Sequence, residues 1–441
     1  MDDLRLEMEW LSTGEPEAAL RESTGFLSIH AGAACLTRHE DTWSRTVRNG
    51  VLVSAYPLAL WLASSWWRLN FEPVPATGKP PHTAWRMAHE LASAGYGYVW
   101  PQVLFASDGD AVAISASQVN SPGQSVNYLC SLAEPVIVPA SKFQWQIGAF
   151  IDEVTQRLRV AHGSANELAS LWALVQEDMR HPEMKAQRVL EAQLGYEPDE
   201  CPGSLMDHAL RLRKQTGPAA MAELAPLFGQ AAGSSDLSEL ERLGSAPGLK
   251  CQPQVPQVSV TPSHSPAAPW QQGVDAAKAL LAHLQLHNAP FQTTLLCDLL
   301  GLNKQRADSF QLAGRAKAAV AIPGPRDQIA FAPRKQHTVA RRFEYARLVG
   351  ELAMSGRPTT GWLVESDLQT ATQKRQRAFA AALLCPIDAL VDFLDDDFSD
   401  TALEAAAQHF EVSDWTVAFQ LMNNGYRRGP DCTAGPHQLK I

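Results

Sequence analysis

The sequence predicts an α+β protein of two folded parts joined by a linker. Three observations carry that reading. Residues before 165 mix short apolar or alternating runs with helical spacing, whereas the chain after Trp270 is helical in pattern apart from one hairpin. Between them, Gln230 to Pro269 is rich in Ser, Pro, Gly and Gln, with prolines at 247, 253, 256, 262, 266 and 269. Such a composition predicts a segment that buries too little apolar surface to offset its ordering entropy. At 441 residues the chain is long enough for two or three domains with their own cores. The predicted organisation is a mixed α/β N-terminal domain over 1–165, a helical extension over 166–229, a flexible Pro/Ser-rich linker over 230–270 and a mostly helical domain with a small β-hairpin over 271–441.

Hydrophobic residues make up 45% and charged residues 19%, values of an ordinary globular protein. A net charge of -10 gives no support for sequence-independent coating of nucleic acid, although a local basic patch is compatible with it. The seven cysteines (35, 130, 201, 251, 297, 385 and 432) are odd in number, and no two have Cys-x-x-Cys spacing. That pattern points away from a disulfide framework and a Cys-rich zinc module, and toward a reducing cytosol. The acidic start, Met1 to Glu9, has no apolar core and reads as no secretory leader, so a cytoplasmic protein is expected. Val51 to Trp67 is uncharged and about as long as the shortest spanning helices, but it contains Pro57 and three serines and reads as a buried core helix rather than a membrane segment.

In the N-terminal part, Phe26 to Leu36 predicts a strand, Val51 to Leu69 a helix kinked by Pro57, and Thr83 to Ala94 a second helix. Val103–Ala106 and Ala111–Ser115 predict a hairpin around Asp108-Gly109, followed by strands over Val126–Leu132 and Pro135–Val138. A helix starts at Ser141, with Gln144 completing a capping box, and carries Phe143, Ile147, Phe150, Ile151, Val154 and Leu158 on one face. Glu167 to Leu227 is helical, broken at Gly195 and over Pro198–Gly203. Eight of the twelve tryptophans precede residue 150. Trp61, Trp66 and Trp67, with Arg68 beside them, read as core packing, with a stacking platform for a planar ligand as the sharper alternative.

In the C-terminal part, helices are predicted over Ala276–Leu286, over Leu295–Leu300 with a cap at Thr293 or Thr294, and after Thr338. Short strands over Ala318–Ile322 and Gln328–Ala332 flank Pro323-Gly324-Pro325. The most informative stretch is Arg341-Arg342-Phe343-Glu344-Tyr345-Ala346-Arg347-Leu348-Val349-Gly350-Glu351, taken with Phe379-Ala380-Ala381-Ala382-Leu383-Leu384-Cys385-Pro386. Over roughly Leu295 to Gly425 this part resembles the ImmA/IrrE metallopeptidase family, a zincin-like fold whose first core helix carries His-Glu-x-x-His inside an R-R-F-x-x-A-H-E-x-G-H frame. The resemblance places Arg347 and Glu351 where the two histidines stand and Leu348 where the general base stands. It places Gln373 where the third ligand stands, and Arg377 where an Asn is usual.

Two histidines one turn apart can grip one ion because i and i+4 side chains share a face. Here Arg347 carries a permanent positive charge, Leu348 accepts no proton and Glu351 alone makes no zinc site. A metal-free domain with no cofactor is therefore expected, its polar interior filled by an ion pair of Arg347 and Glu351 or a small network. By resemblance, active relatives cleave repressors in mobile elements and stress responses. A pseudo-metallopeptidase of that type is expected to act by binding a protein partner, as a regulator or scaffold in a mobile-element or phage-defence system.

Two alternatives stay open. One is a nucleic-acid-binding transcriptional regulator that uses a basic edge of Arg334, Lys335, Arg341, Arg342, Lys374, Arg375 and Arg377. The other is an enzyme in the N-terminal part, built from His89, Glu90, Asp108 and Asp110, with the C-terminal part regulatory. Ala88-His89-Glu90-Leu91 echoes a zincin helix but has Ser93 at the second His position, and His82 could share its face. Leu403 to Leu421 reads like a helix-turn-helix, yet its second helix offers Asp414, Trp415 and Gln420 after an acidic run over Asp392–Asp400.

Overall fold

A computed structural model describes residues 3–75, 81–118, 123–162, 166–230, 236–259, 268–286 and 290–426. They form an α+β protein of helices and small antiparallel sheets. The chain divides into two compact units, Met1–Met206 with Phe228–Ser235, and Asp207–Leu227 with Asp236–Gly435. The division differs from the expected boundaries at 165, 229 and 270. The helical extension is shared out, with Glu167–Arg180 and Pro182–Gln193 in the first unit and Pro218–Leu224 in the second.

In the first unit, Thr24–Ala31 is the central strand of one sheet, paired antiparallel with Leu4–Trp10, Ala34–Cys35 and Val51–Ser54. A second sheet runs Val136–Pro139, Ala111–Ser117, Gln102–Ser107, which contains the expected hairpin. A third pairs His39–Asp41 with Thr46–Arg48 and with Val126–Tyr128. The Ala140–His162 helix packs against these strands and starts one residue before the expected Ser141. The apolar face read for it, Phe143, Ile147, Phe150, Ile151, Val154 and Leu158, is buried. Trp61, Trp66 and Trp67 are buried in the same core, which settles them as packing rather than an open platform. The helix expected over Val51–Leu69 begins instead as a strand, because Val51 and Val53 enter the sheet with their side chains buried. Ser54 then caps the Ala55–Ser64 helix by accepting from the Tyr56 N–H at 3.3 Å. Pro57 lies in the first turn, where its missing N–H costs nothing, and the break comes at Ser65. Among the described residues no helix is long and apolar enough to cross a membrane.

The second unit is built on a four-stranded antiparallel sheet in the order Leu249–Cys251, Ile329–Ala332, Ala319–Pro323, Leu363–Glu365. Its central pair is the expected hairpin. Over one side lie the helices Pro269–His283, Thr338–Ser355 and Ala371–Leu384, packed on one another. Thr293–Leu300, Ile387–Leu394, Asp400–Phe410 and Asp414–Asn423 complete the core.

The flexible linker expected over 230–270 is overturned across its described part. Leu237, Leu240 and Leu243 bury one face of a Ser238–Ser245 helix, and Leu249 and Cys251 enter the sheet. Each buried leucine contributes about 1.5–3 kcal/mol, so four well-placed ones suffice where average composition suggested none. Downstream, the N–H groups of Gln252 and Gln254 donate to the Leu300 and Leu299 carbonyls at 3.0 and 2.7 Å, and that of Val258 donates to the Ala353 carbonyl at 3.0 Å. These carbonyls end two helices and have no intrahelical donor, so the Pro-rich strip serves as a cap for both. Pro262 and Pro266 lie outside the described residues.

Two glycines set how closely the helices approach. A Cβ at Gly273 would stand 2.2 Å from the Arg375 carbonyl oxygen, and one at Gly350 would stand 2.4 Å from the buried Phe379 ring. Gly273→Ala and Gly350→Ala are each expected to destabilise the protein by about 1–3 kcal/mol, despite alanine's better helix propensity, because backbone or a locked ring must move. Lowered urea midpoints at unchanged slope would register this. Wild-type midpoints would contradict the close packing.

Candidate functional site

The Thr338–Ser355 helix is buried almost all round yet carries five charged residues along the buried stretch: Arg341, Arg342, Glu344, Arg347 and Glu351. Burying a charge is tolerated only when partners replace water. The positions of these partners define the site.

Arg347 lies at the centre and is 3% exposed. Its Nη2 donates to the Ser366 carbonyl at 3.1 Å, to Gln376 Oε1 at 3.0 Å and to Gln373 Oε1. Gln373 is itself locked, because its Oε1 accepts from the Ser366 N–H at 2.7 Å and its Nε2 donates to the Val364 carbonyl at 3.0 Å. Gln376, one turn further along the same helix, donates from Nε2 to Glu351 Oε2 at 3.1 Å, and Ser355 donates to Glu351 Oε1 at 2.9 Å. Arg347 and Gln373 are thus in direct contact, and Glu351 joins them only through Gln376. The ion pair expected between Arg347 and Glu351 is not formed. Arg347 faces Glu365 instead, with Nε 3.9 Å from Oε2, and Gln376 stands between Arg347 and Glu351. Leu348 is packed in the core.

Glu365 is the most poorly served group in the network. Both carboxylate oxygens and the Arg347 Nε are buried without a hydrogen-bond partner. Burial pushes the Glu365 carboxyl well above the usual carboxylate range, against the lowering charge of Arg347, and burial also lowers the Arg347 guanidinium. At the rim, Arg334 donates to Glu344 at 3.1 Å and to Asp367 at 2.9 Å, while Thr370 donates to Glu223 at 2.7 Å. Burial raises Glu344 and Glu223 in turn. Glu365, Ser366, Gln376, Glu344 and Glu223 were missed in the sequence. Only Gln376 left a usable signal there, being three residues after Gln373 and so on the same helix face.

The expected basic contact edge is only partly a surface. Arg341 is buried and donates to the Lys335, Ala307, Asp308 and Gln336 carbonyls. Arg342, 2% exposed, donates to Thr293 Oγ1, to the Phe410 and Glu411 carbonyls and to the Phe291 carbonyl. Both guanidiniums thereby satisfy carbonyls at the C-terminal ends of helices, where cations are also favoured by the helix dipole. Arg334 bonds inward as described, and Arg377 donates to the Leu368 carbonyl at 2.8 Å and to Gln369 at 3.1 Å. Burial and the Arg347 charge push Arg377 down to about 10. Lys335 is exposed, and Lys374 and Arg375 are half-buried.

The N-terminal candidates do not assemble either. His89 is fully buried, stacked on Trp85 at 4.0 Å, with Nδ1 2.7 Å from the Trp85 carbonyl and Nε2 3.2 Å from the Arg68 carbonyl. Burial pushes it down to about 3, so it is a neutral core residue. His82 instead caps the Thr83–His89 helix by accepting from the Ala84 N–H, and Glu90 pairs with Arg86. Asp108 accepts the Asp110 and Ala111 N–H groups in the hairpin turn. Among the described residues, no three His, Cys, Asp or Glu side chains gather as a metal-holding group. No family model, curated protein or solved structure matches the chain.

Arg347→Met would remove the main charge that compensates buried Glu365, leaving only the weaker pull of Arg334. A loss of about 3–5 kcal/mol is expected near neutral pH, as for other broken buried pairs. A carboxyl whose folded pKa is raised stabilises the fold below its unfolded pKa and loses that contribution as pH rises toward the folded value. The Arg347→Met penalty should therefore be larger at pH 8 than at pH 5, and Glu365→Gln added to it should restore most of the loss. A pH-independent penalty in denaturant titrations would disprove the coupling.

Proposed function

We propose that this chain is a non-catalytic ImmA/IrrE-like protein that works by binding a protein partner, as a regulator or scaffold of the kind used around mobile elements or in phage defence. One observation supports it above all: at the positions where the resemblance puts metal ligands, a buried guanidinium bonds Gln373 directly and is linked to Glu351 through Gln376.

The residues present do not fit a divalent ion. Arg347 brings a positive charge to the centre, and Gln373 spends its amide oxygen on Arg347 and the Ser366 N–H. Glu351 is engaged by Gln376 and Ser355. Leu348 offers no base for activating water. No hydrolytic step follows from such a site, and its side chains bond strands and helices to one another. An N-terminal enzyme finds no support in His89, Glu90 and Asp108, which are occupied by packing, pairing and a turn. A nucleic-acid reader loses Arg341 and Arg342 of its basic edge to the interior.

The test is to rebuild the ancestral ligands. The combined variant Arg347→His, Leu348→Glu, Glu351→His, Gln373→Glu is expected to take up one zinc per chain, and the native protein none, by metal analysis after zinc loading and dialysis. Affinity purification of the intact native chain from its host should recover a protein partner at near-equal amount in the presence of a chelator. Zinc bound by the native chain and lost on Glu351→Gln, or a rebuilt variant that folds but holds no zinc, would overturn the reading.

A further inference from the structure

We infer that the outer face of the Asp414–Asn423 helix, with the acidic loop beside it, is the docking site for a cationic amphipathic helix of the protein partner. The inference rests on the partner-binding reading above and gives that partner a chemistry.

The helix buries Val417, Gln420 and Leu421 against the core. Its other side carries Trp415, 72% exposed, and Phe419, 51% exposed, with rings 5.9 Å apart. Met422, half-buried, continues the line on the helix at a spacing of four and three, and the exposed Tyr426 lies just past the helix end. That is the seam spacing by which one helix accepts another. Isolated exposed apolar residues mean little, whereas a contiguous aromatic row on one helix marks an interaction surface.

Charge selects the occupant. Tyr426 stacks near Phe398, with ring centroids 6.4 Å apart, and Phe398 belongs to the acidic loop. Asp395, Asp396, Asp397, Glu404 and Asp414 are all exposed. From Ala378 to Tyr426 there is no lysine or arginine, the next cations in the sequence being Arg427 and Arg428. A basic helix laid along the aromatic row would meet carboxylates along its rim, which steers encounter and fixes orientation. A second copy of this chain would set acid against acid across a two-fold contact. Nucleic acid would be repelled by the same charges.

The experiment is calorimetric titration of the intact protein with two synthetic peptides that share a Leu-rich heptad face, one with lysine and one with glutamate on its polar face. The lysine peptide is expected to bind and the glutamate peptide not. Trp415→Ala/Phe419→Ala should weaken the lysine peptide about tenfold or more, the scale of losing a buried aromatic anchor. Asp395→Asn/Asp396→Asn/Asp397→Asn should weaken it too and flatten its salt dependence. Trp43→Ala, which removes an 89% exposed tryptophan elsewhere, should leave it unchanged. Equal affinity for the native protein and the Trp415→Ala/Phe419→Ala variant would reduce binding to overall charge and overturn the site. So would a native dimer that Trp415→Ala dissociates, or binding that appears only after truncation beyond Tyr426, since the occupant would then be a second copy or the chain's own tail. Any of these failures leaves the metal-free reading intact, because zinc uptake by the rebuilt variant decides that separately.

Discussion

Arg347 cannot reach water, and much of the second unit is arranged around that constraint. Removing a guanidinium from water costs several kcal/mol even after relaxation, and only a full set of acceptors offsets it. The acceptors come from two elements, one of them also held by the backbone ladder of the sheet. The Ser366 carbonyl follows the Leu363–Glu365 edge strand, Gln373 and Gln376 project from the Ala371–Leu384 helix, and Glu351 extends the network along Arg347's own helix. Each acceptor is held by a second bond, so the register of strand against helix is specified by polar geometry as well as by shape.

The same helix solves the same problem twice more. Arg341 and Arg342 are buried as deeply as their apolar neighbours, and both direct their donors at carbonyls that end other helices or turns. The Pro-rich strip does the complementary job with backbone N–H groups over the ends of Thr293–Leu300 and Thr338–Ser355. Several helix C-termini in this unit are thus satisfied from elsewhere in the chain, whereas N-termini are capped locally by Asn303, Thr370, Ser399 and Ser413.

What could be read from the sequence follows from how local the physics is. The Ala140–His162 face and the hairpin around Pro323–Pro325 were legible because periodicity and turn residues are properties of a few consecutive positions. The contact between Arg347 and Gln373 leaves no local signal, because nothing in a few consecutive positions connects residues that far apart. Glu365 and Ser366 were invisible, since an edge strand three residues long leaves no signal. The Gln230–Pro269 segment misled because composition averages over positions, whereas burial depends on where Leu237, Leu240, Leu243 and Leu249 fall. The basic edge misled for a related reason: a count of arginines says nothing about which way they point.

That last error changes the electrostatic character of the second unit. Arg334, Arg341, Arg342, Arg347 and Arg377 spend their charge on interior carboxylates and carbonyls. Asp395, Asp396, Asp397, Glu404 and Asp414 face solvent. A formal net charge of -10 for the whole chain therefore understates how acidic this particular face is. Fields at a surface come chiefly from the charges near it. The charge of this face is set by the carboxylates that remain outside, so the inward turn of the arginines both satisfies interior acceptors and leaves the surface acidic.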